Sequence, residues 1–334
     1  MMKKLLLTML LTANLLSGAY AWDLWEDFRA VSMEGGRVVD YSDQRAVTTS
    51  EGQSYAMFFA LVANDKQTFE DLLIWTEDNL AAGDIGKNYP AWLWGKEGDT
   101  WKIIDDNNAV DSDMWIAYCL LEAGRLWNKP EYTEKAHQML ALLRTQVRDI
   151  ENLGKVLLTG RIGFETETEV KLNPSYYPLF LIKRFAVEDA YWNEVFEGSA
   201  RMLIRSAPAG VSPDWVNFTK KGELVENMSI DNTIGSYNAI RVYLWAAMLS
   251  PKDPVYRQLK ARFEPMVRLT EALNMPPEKV DVNTLAVNQP AWDGFGACLM
   301  ELVGPGKTRD MIRTVLKSTP IKKENYYRNV LALY

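Results

Sequence analysis

From residue 22 to residue 334 the chain is written almost entirely in helical period, and its helical segments come in pairs joined by short loops. Apolar residues recurring every three or four positions mark one face of a helix. Lys66 to Leu80 shows this plainly, with Phe69, Leu72, Leu73 and Trp75 on one side. Residues 113–128 and 132–147 read as a helix pair around a short turn containing Pro130. The pattern predicts further helices over 22–34, 54–64, 176–186, 189–207, 236–249, 254–273, 290–303, 309–318 and 324–333. Residues 35–40 read as a loop with a short strand. Residues 93–107 read as a loop with turn chemistry, and 157–170 as a hairpin. Several helical segments are apolar nearly all round, so other helices must surround them. Helix pairs satisfy that by closing into a toroid, inner helices facing an axis and outer helices facing water. With no linker or low-complexity run, the expectation is one compact all-α domain over 22–334.

The first 21 residues stand apart. Met1-Met2-Lys3-Lys4 is basic, 5–16 is apolar but too short to span a membrane, and Ala19-Tyr20-Ala21 is a small-x-small cleavage site. This is the pattern of a secretory signal peptide over 1–21, which places the mature protein in the periplasm or outside the cell. No later stretch is long and apolar enough to span a membrane. A net charge of −7 argues against a nucleic-acid partner, which calls for a basic stripe. The single histidine, His137, lies on what reads as an exposed helix face. That excludes a multi-histidine zinc site and leaves a serine triad resting on one unpromising residue. Cys119 and Cys298 sit in apolar helical patterns and read as free core thiols, with a single bridge as the alternative. The chain holds 12 Trp, 15 Tyr and 11 Phe. Flat rings stack on the C–H faces of sugars, although for any one Trp a place in the core is the plainer reading.

Chemistry-bearing residues gather at helix starts. In Thr48-Thr49-Ser50-Glu51-Gly52-Gln53-Ser54-Tyr55 the hydroxyls supply an N-cap, so Glu51 stands in a first turn. Alone it reads as an acid complementing the helix dipole. Asn108-Ala109-Val110-Asp111-Ser112-Asp113-Met114-Trp115 puts two acids at the head of a second apolar helix. Gly235-Ser236-Tyr237-Asn238-Ala239-Ile240-Arg241 puts an aromatic, an amide and an arginine at a third. Trp92, Trp94, Tyr176, Tyr177 and Trp215 fall in loops, where a core role is less automatic. Acids and rings on one rim of a toroid would line a cleft suited to glycosidic-bond cleavage. That reaction needs one carboxylic acid to protonate the leaving oxygen and a second carboxylate to act on water or on the anomeric carbon.

Taken with Asn173-Pro174-Ser175-Tyr176-Tyr177 and Ser212-Pro213-Asp214-Trp215, these segments resemble glycoside hydrolase family 8. Within it they resemble the periplasmic endoglucanases encoded with bacterial cellulose synthases. Val110, Ser112 and Cys119 depart mildly from the family's signature. The resemblance implies an (α/α)6 barrel with an open cleft and inverting hydrolysis of β-1,4-glucan without metal or cofactor. It further implies a monomer that works alongside the cellulose synthase complex. By position, Glu51 would be the general acid, and Asp111 would hydrogen-bond the sugar at the cleavage point. Asp113, Trp92, Trp94, Tyr176, Tyr237 and Arg241 would bind substrate. The position of the family's catalytic base, an Asp three residues before an Arg, is Asn238 here. An amide oxygen is a very weak base, and losing a general base costs ~10²–10⁴-fold in rate. Three accounts follow: a naturally impaired hydrolase, recruitment of another acid such as Asp111 or Asp231, or a substitution that traps substrate. The alternative function is a cellulose-binding pseudoenzyme that holds or guides nascent glucan. A weaker third is a scaffold for the synthase complex.

Overall fold

The computed structural model describes residues 22–225 and 230–334; the segment 1–21, expected to be a signal peptide, and the Asp231 side chain lie outside the described residues. The chain runs through α1 (Asp23–Ser32), α2 (Ser50–Val62), α3 (Lys66–Leu80), α4 (Val110–Trp127), α5 (Pro130–Thr145), α6 (Leu179–Glu188) and α7 (Tyr191–Arg205). It continues through α8 (Ile240–Met248), α9 (Pro254–Arg262), α10 (Glu264–Leu273), α11 (Asp293–Val303), α12 (Lys307–Ser318) and α13 (Tyr326–Leu333).

Packing sorts these into two rings. Helices α2, α4, α6, α8, α11 and α13 each touch the next in that order, and each carries an outer partner: α3, α5, α7, the broken pair α9–α10, α12 and α1. The inner ring closes where Tyr334 stacks on Phe58 of α2, centroids 5.6 Å apart. This is an (α/α)6 barrel. The inner helices are apolar on nearly every side because neighbours cover every side. In α4 the run from Val110 to Ala117 is wholly buried. The barrel axis is filled with rings. Trp115 lies 5.3 Å from Trp245 and 5.7 Å from Tyr55, and Trp245 lies 5.1 Å from Tyr334. Trp25, Trp115, Trp192 and Trp245 are therefore core, and the sugar-stacking reading is left to a few loop tryptophans.

The structure corrects several local expectations. Residues 93–107 are a β-hairpin, with Leu93–Glu97 paired to Thr100–Asp105 and the short strand Thr48–Thr49 on its edge. Polar residues on both strands hid the alternation. Of the expected hairpin at 157–170 only a tight antiparallel bridge between Glu165 and Val170 forms, and the flanking strands pair elsewhere. Gly154–Leu157 pairs with Val147–Ile150, whereas Glu169–Leu172 pairs with the distant Val216–Thr219. A local pattern carries no information on a partner so far along the chain. The expected helix 254–273 breaks between α9 and α10, where Pro265 lacks an N–H and clashes with the preceding turn. Residues 236–239 form a turn, and α8 starts only at Ile240. Cys119 and Cys298 are free and buried.

Candidate active site

Glu51 is released from capping duty by its neighbour. Thr49 Oγ1 accepts the Gly52 N–H at 3.0 Å, which satisfies the first turn of α2. The Glu51 side chain instead crosses to α8, where Arg241 Nη1 donates to its Oε2. The same nitrogen donates to the Tyr55 hydroxyl at 2.9 Å, and Nη2 donates to Asn238 Oδ1 at 2.9 Å. Asp111 Oδ2 stands 3.7 Å from Nη1. A guanidinium buried to 3% exposure is strongly destabilising unless it is paired, and its planar fork fixes where the partners must be. One arginine thus ties together the starts of α2, α4 and α8.

Asp111 lies one layer below the cavity surface, 1% exposed, with Ser112 N donating to its Oδ1 at 2.8 Å. Burial, and then the Glu51 charge, push its carboxyl up to about 7 against the pull of Arg241. Its carboxyl stands opposite Arg241, beneath the residues that line the cavity. Asp113 points elsewhere in the core, where Asn108 Nδ2 donates to its Oδ2 at 2.6 Å, and burial raises it well above the usual carboxylate range. Folded and unfolded forms both hold the Asp113 proton below about pH 4. As pH rises further, only the unfolded chain ionises, so the folded state loses about 1.4 kcal/mol per pH unit until the raised folded value is reached. Melting temperature should therefore fall as pH rises above about 4, and Asp113→Asn should flatten that fall. Equal slopes for the two proteins, measured by differential scanning fluorimetry, would reject this account.

Asp214 was singled out in sequence only as part of a motif, and the structure shows what it holds. Its Oδ1 accepts the backbone N–H groups of Ser236, Asn238 and Ala239 at 2.9, 3.0 and 2.8 Å, and the Ser236 hydroxyl donates to Oδ2. A carboxylate from a distant loop thereby caps the turn that presents Asn238. No sequence spacing could have revealed it.

Above this floor opens a cavity of about 610 Å³ lined by Glu51, Asn238 and Arg241, with Trp92, Tyr176, Tyr237 and Trp292 as walls. Trp92 and Trp292 are 36% and 52% exposed, so their faces are available for stacking. Tyr237 is fixed by donating to Glu278 Oε1 at 2.7 Å, and the Tyr327 hydroxyl donates to its carbonyl. Tyr326, Tyr327 and Trp292 line the cavity but were read as parts of ordinary helices, because their approach depends on ring closure by α11 and α13. Asp113 and Trp94 are not brought to the cavity. Trp94 stacks on Trp101 on the hairpin, centroids 4.9 Å apart. His137 lies apart, bonded to Glu188 at 2.9 Å.

A model described as glycosyl hydrolases family 8 matches residues 1–334. An endoglucanase of Escherichia coli O157:H7 is 41% identical over 98% of this chain and 90% of that protein. One of Salmonella typhi is 42% identical over 97% and 89%. Among solved structures, the endo-1,4-D-glucanase of Vibrio fischeri ES114 aligns with a TM-score of 0.88 at 42% identity, covering 93% of each chain. The endo-beta-1,4-glucanase CMCax of Acetobacter xylinum aligns with a TM-score of 0.76 at 28% identity, covering 93% and 95%. A match along the whole length, joined to an inner-ring floor where one arginine holds Glu51, Asp111 and Asn238, means that the chain belongs to glycosyl hydrolase family 8.

Proposed function

We propose that the chain is an endo-β-1,4-glucanase that cleaves with inversion, slowed by an amide at the base position. The observation that carries this reading is the Arg241 fork, which holds Glu51 and Asn238 on one floor beneath aromatic walls. A glucan chain lies against Trp92, Tyr176, Tyr237 and Trp292. Glu51 gives its proton to the bridging oxygen as the anomeric C–O bond breaks. A water molecule attacks the anomeric carbon from the opposite face and then sheds a proton. Asn238 orients that water through its amide, and the proton passes to solvent water in the open cleft, which is why the step is slow. Asp111 has almost no open surface from which to attack carbon, and no other carboxylate among the described residues is bonded to the Arg241 fork beside Glu51, which favours inversion.

The basic start, apolar run and Ala19-Tyr20-Ala21 site support export, and the resemblance in the Glu51 and Asp111 segments supports work alongside cellulose synthesis. Residues 22–334 act as a single catalytic unit. The test is the configuration of the first-formed product of cellopentaose, followed by proton NMR before mutarotation. The α-anomer is expected, and the β-anomer rejects the mechanism.

A further inference from the structure

Trp94 was expected in the cleft, and its actual position exposes a second aromatic surface. In the hairpin register Trp94 opposes Ile103 and Lys96 opposes Trp101, so these four side chains share one face. Trp101 and Ile103 are 45% and 39% exposed. One face of the Trp101 ring is covered by Trp94, stacked at 4.9 Å with 15° between the planes. The Arg37 guanidinium lies 4.7 Å from the Trp101 centroid and 5.0 Å from that of Trp94. Across the far face of Trp101 it would stand nearly twice as far from Trp94, so it shares the covered side. Among the described residues no other ring or cation stacks on Trp101, and its 45% exposure falls to the opposite face.

This open ring is held firmly. Trp94 is braced by Trp75, centroids 5.2 Å apart in an edge-to-face contact. Arg37 is 7% exposed and anchored by bonds to Ala46 O at 3.2 Å and Thr48 Oγ1 at 3.3 Å. A rigid, exposed tryptophan on a hairpin offers a flat apolar face on which a ring can stack. The patch is only two or three side chains wide, which suits one or two pyranose rings and is far smaller than a protein partner needs.

We propose that the open face of Trp101 is an auxiliary binding platform for the β-1,4-glucan polymer, outside the cleft. The argument for glucan is continuity, and it rests on the reading of the cleft as a glucan site. The platform's strand begins beside Trp92, a cleft wall, and its edge partner Thr48–Thr49 leads directly into Glu51. Ser50 N donates to Trp92 O at 3.0 Å, so platform, wall and acid are one hydrogen-bonded unit. A ring on that unit grips polymer while a stretch of it, or a neighbouring chain in the same fibre, lies in the cleft. Short oligosaccharides that fill only the cleft do not reach it.

The test compares the unmodified protein with Trp101→Ala and with Trp101→Leu, which keeps apolar volume against Trp94 but removes the flat ring. Retention on phosphoric-acid-swollen cellulose and turnover of cellopentaose are both measured. Both variants should bind the polymer about 3- to 10-fold more weakly, the worth of one aromatic stack, with cellopentaose turnover within about twofold. Unchanged retention overturns the platform. Retention and cellopentaose turnover falling together also overturn it, since the ring would then merely support the cleft wall. If the unmodified chain hydrolyses neither substrate, the glucanase reading fails, and the retention comparison still decides the platform.

Discussion

Glu51→Gln should lower reducing-end release from carboxymethyl-cellulose by about 10²–10⁴-fold, the range for loss of a general acid. Glutamine keeps the length and shape of the side chain and can still accept the Arg241 Nη1 bond. It has no proton to give the leaving oxygen. The first turn of α2 stays capped, because Thr49 Oγ1 serves Gly52 N independently. Arg241 also keeps Asp111 at 3.7 Å as a counter-charge. Cello-oligosaccharide binding, measured by calorimetry, should accordingly change little. Activity kept within tenfold would remove Glu51 from the acid's role. Activity lost together with the fold would show that the residue is structural.

The opposite change is expected at Asn238. Asn238→Asp should raise kcat by about 10²–10⁴-fold with KM within a few-fold, because it restores an acceptor for the proton of the attacking water. The geometry is ready for a carboxylate. Arg241 Nη2 already donates to the side-chain oxygen at 2.9 Å, and Asp214 already holds the backbone N–H at 3.0 Å. A charge-assisted bond in place of a neutral one strengthens the same contact. Turnover in the native chain that the substitution leaves unchanged would point to another proton acceptor. A native chain that binds oligosaccharide without turnover, and gains turnover with aspartate, would be a glucan holder and not a working hydrolase.

Much of this site could be read from the chain because its parts sit at helix starts, where sequence is most explicit. Thr49 and Glu51 are neighbours in a capping segment, and Asn238 and Arg241 are one turn apart, so their grouping is local. Asp214 was legible only as part of a motif, since it caps a turn more than twenty residues away. Trp94 was misplaced for a similar reason. Adjacent aromatics in a loop give no sign of which face of a strand each will take. Here an irregularity in register falls between Leu93 and Trp94, and such bulges twist a strand and re-aim its side chains.

The helical period of the apolar residues, on its own, pointed to paired helices that can close into a ring, because segments apolar on all sides must be buried among others. The resemblance of its helix-start segments to family 8 singled out Glu51 and Asn238, which Arg241 bonds together. Only the closed barrel decided that Arg241 would be shared between them, that Asp111 would lie beneath the floor, and that the C-terminal tyrosines would complete the wall. Periodicity is a property of neighbours along the chain, whereas a buried charge takes its partners from whatever the fold brings within a few ångströms.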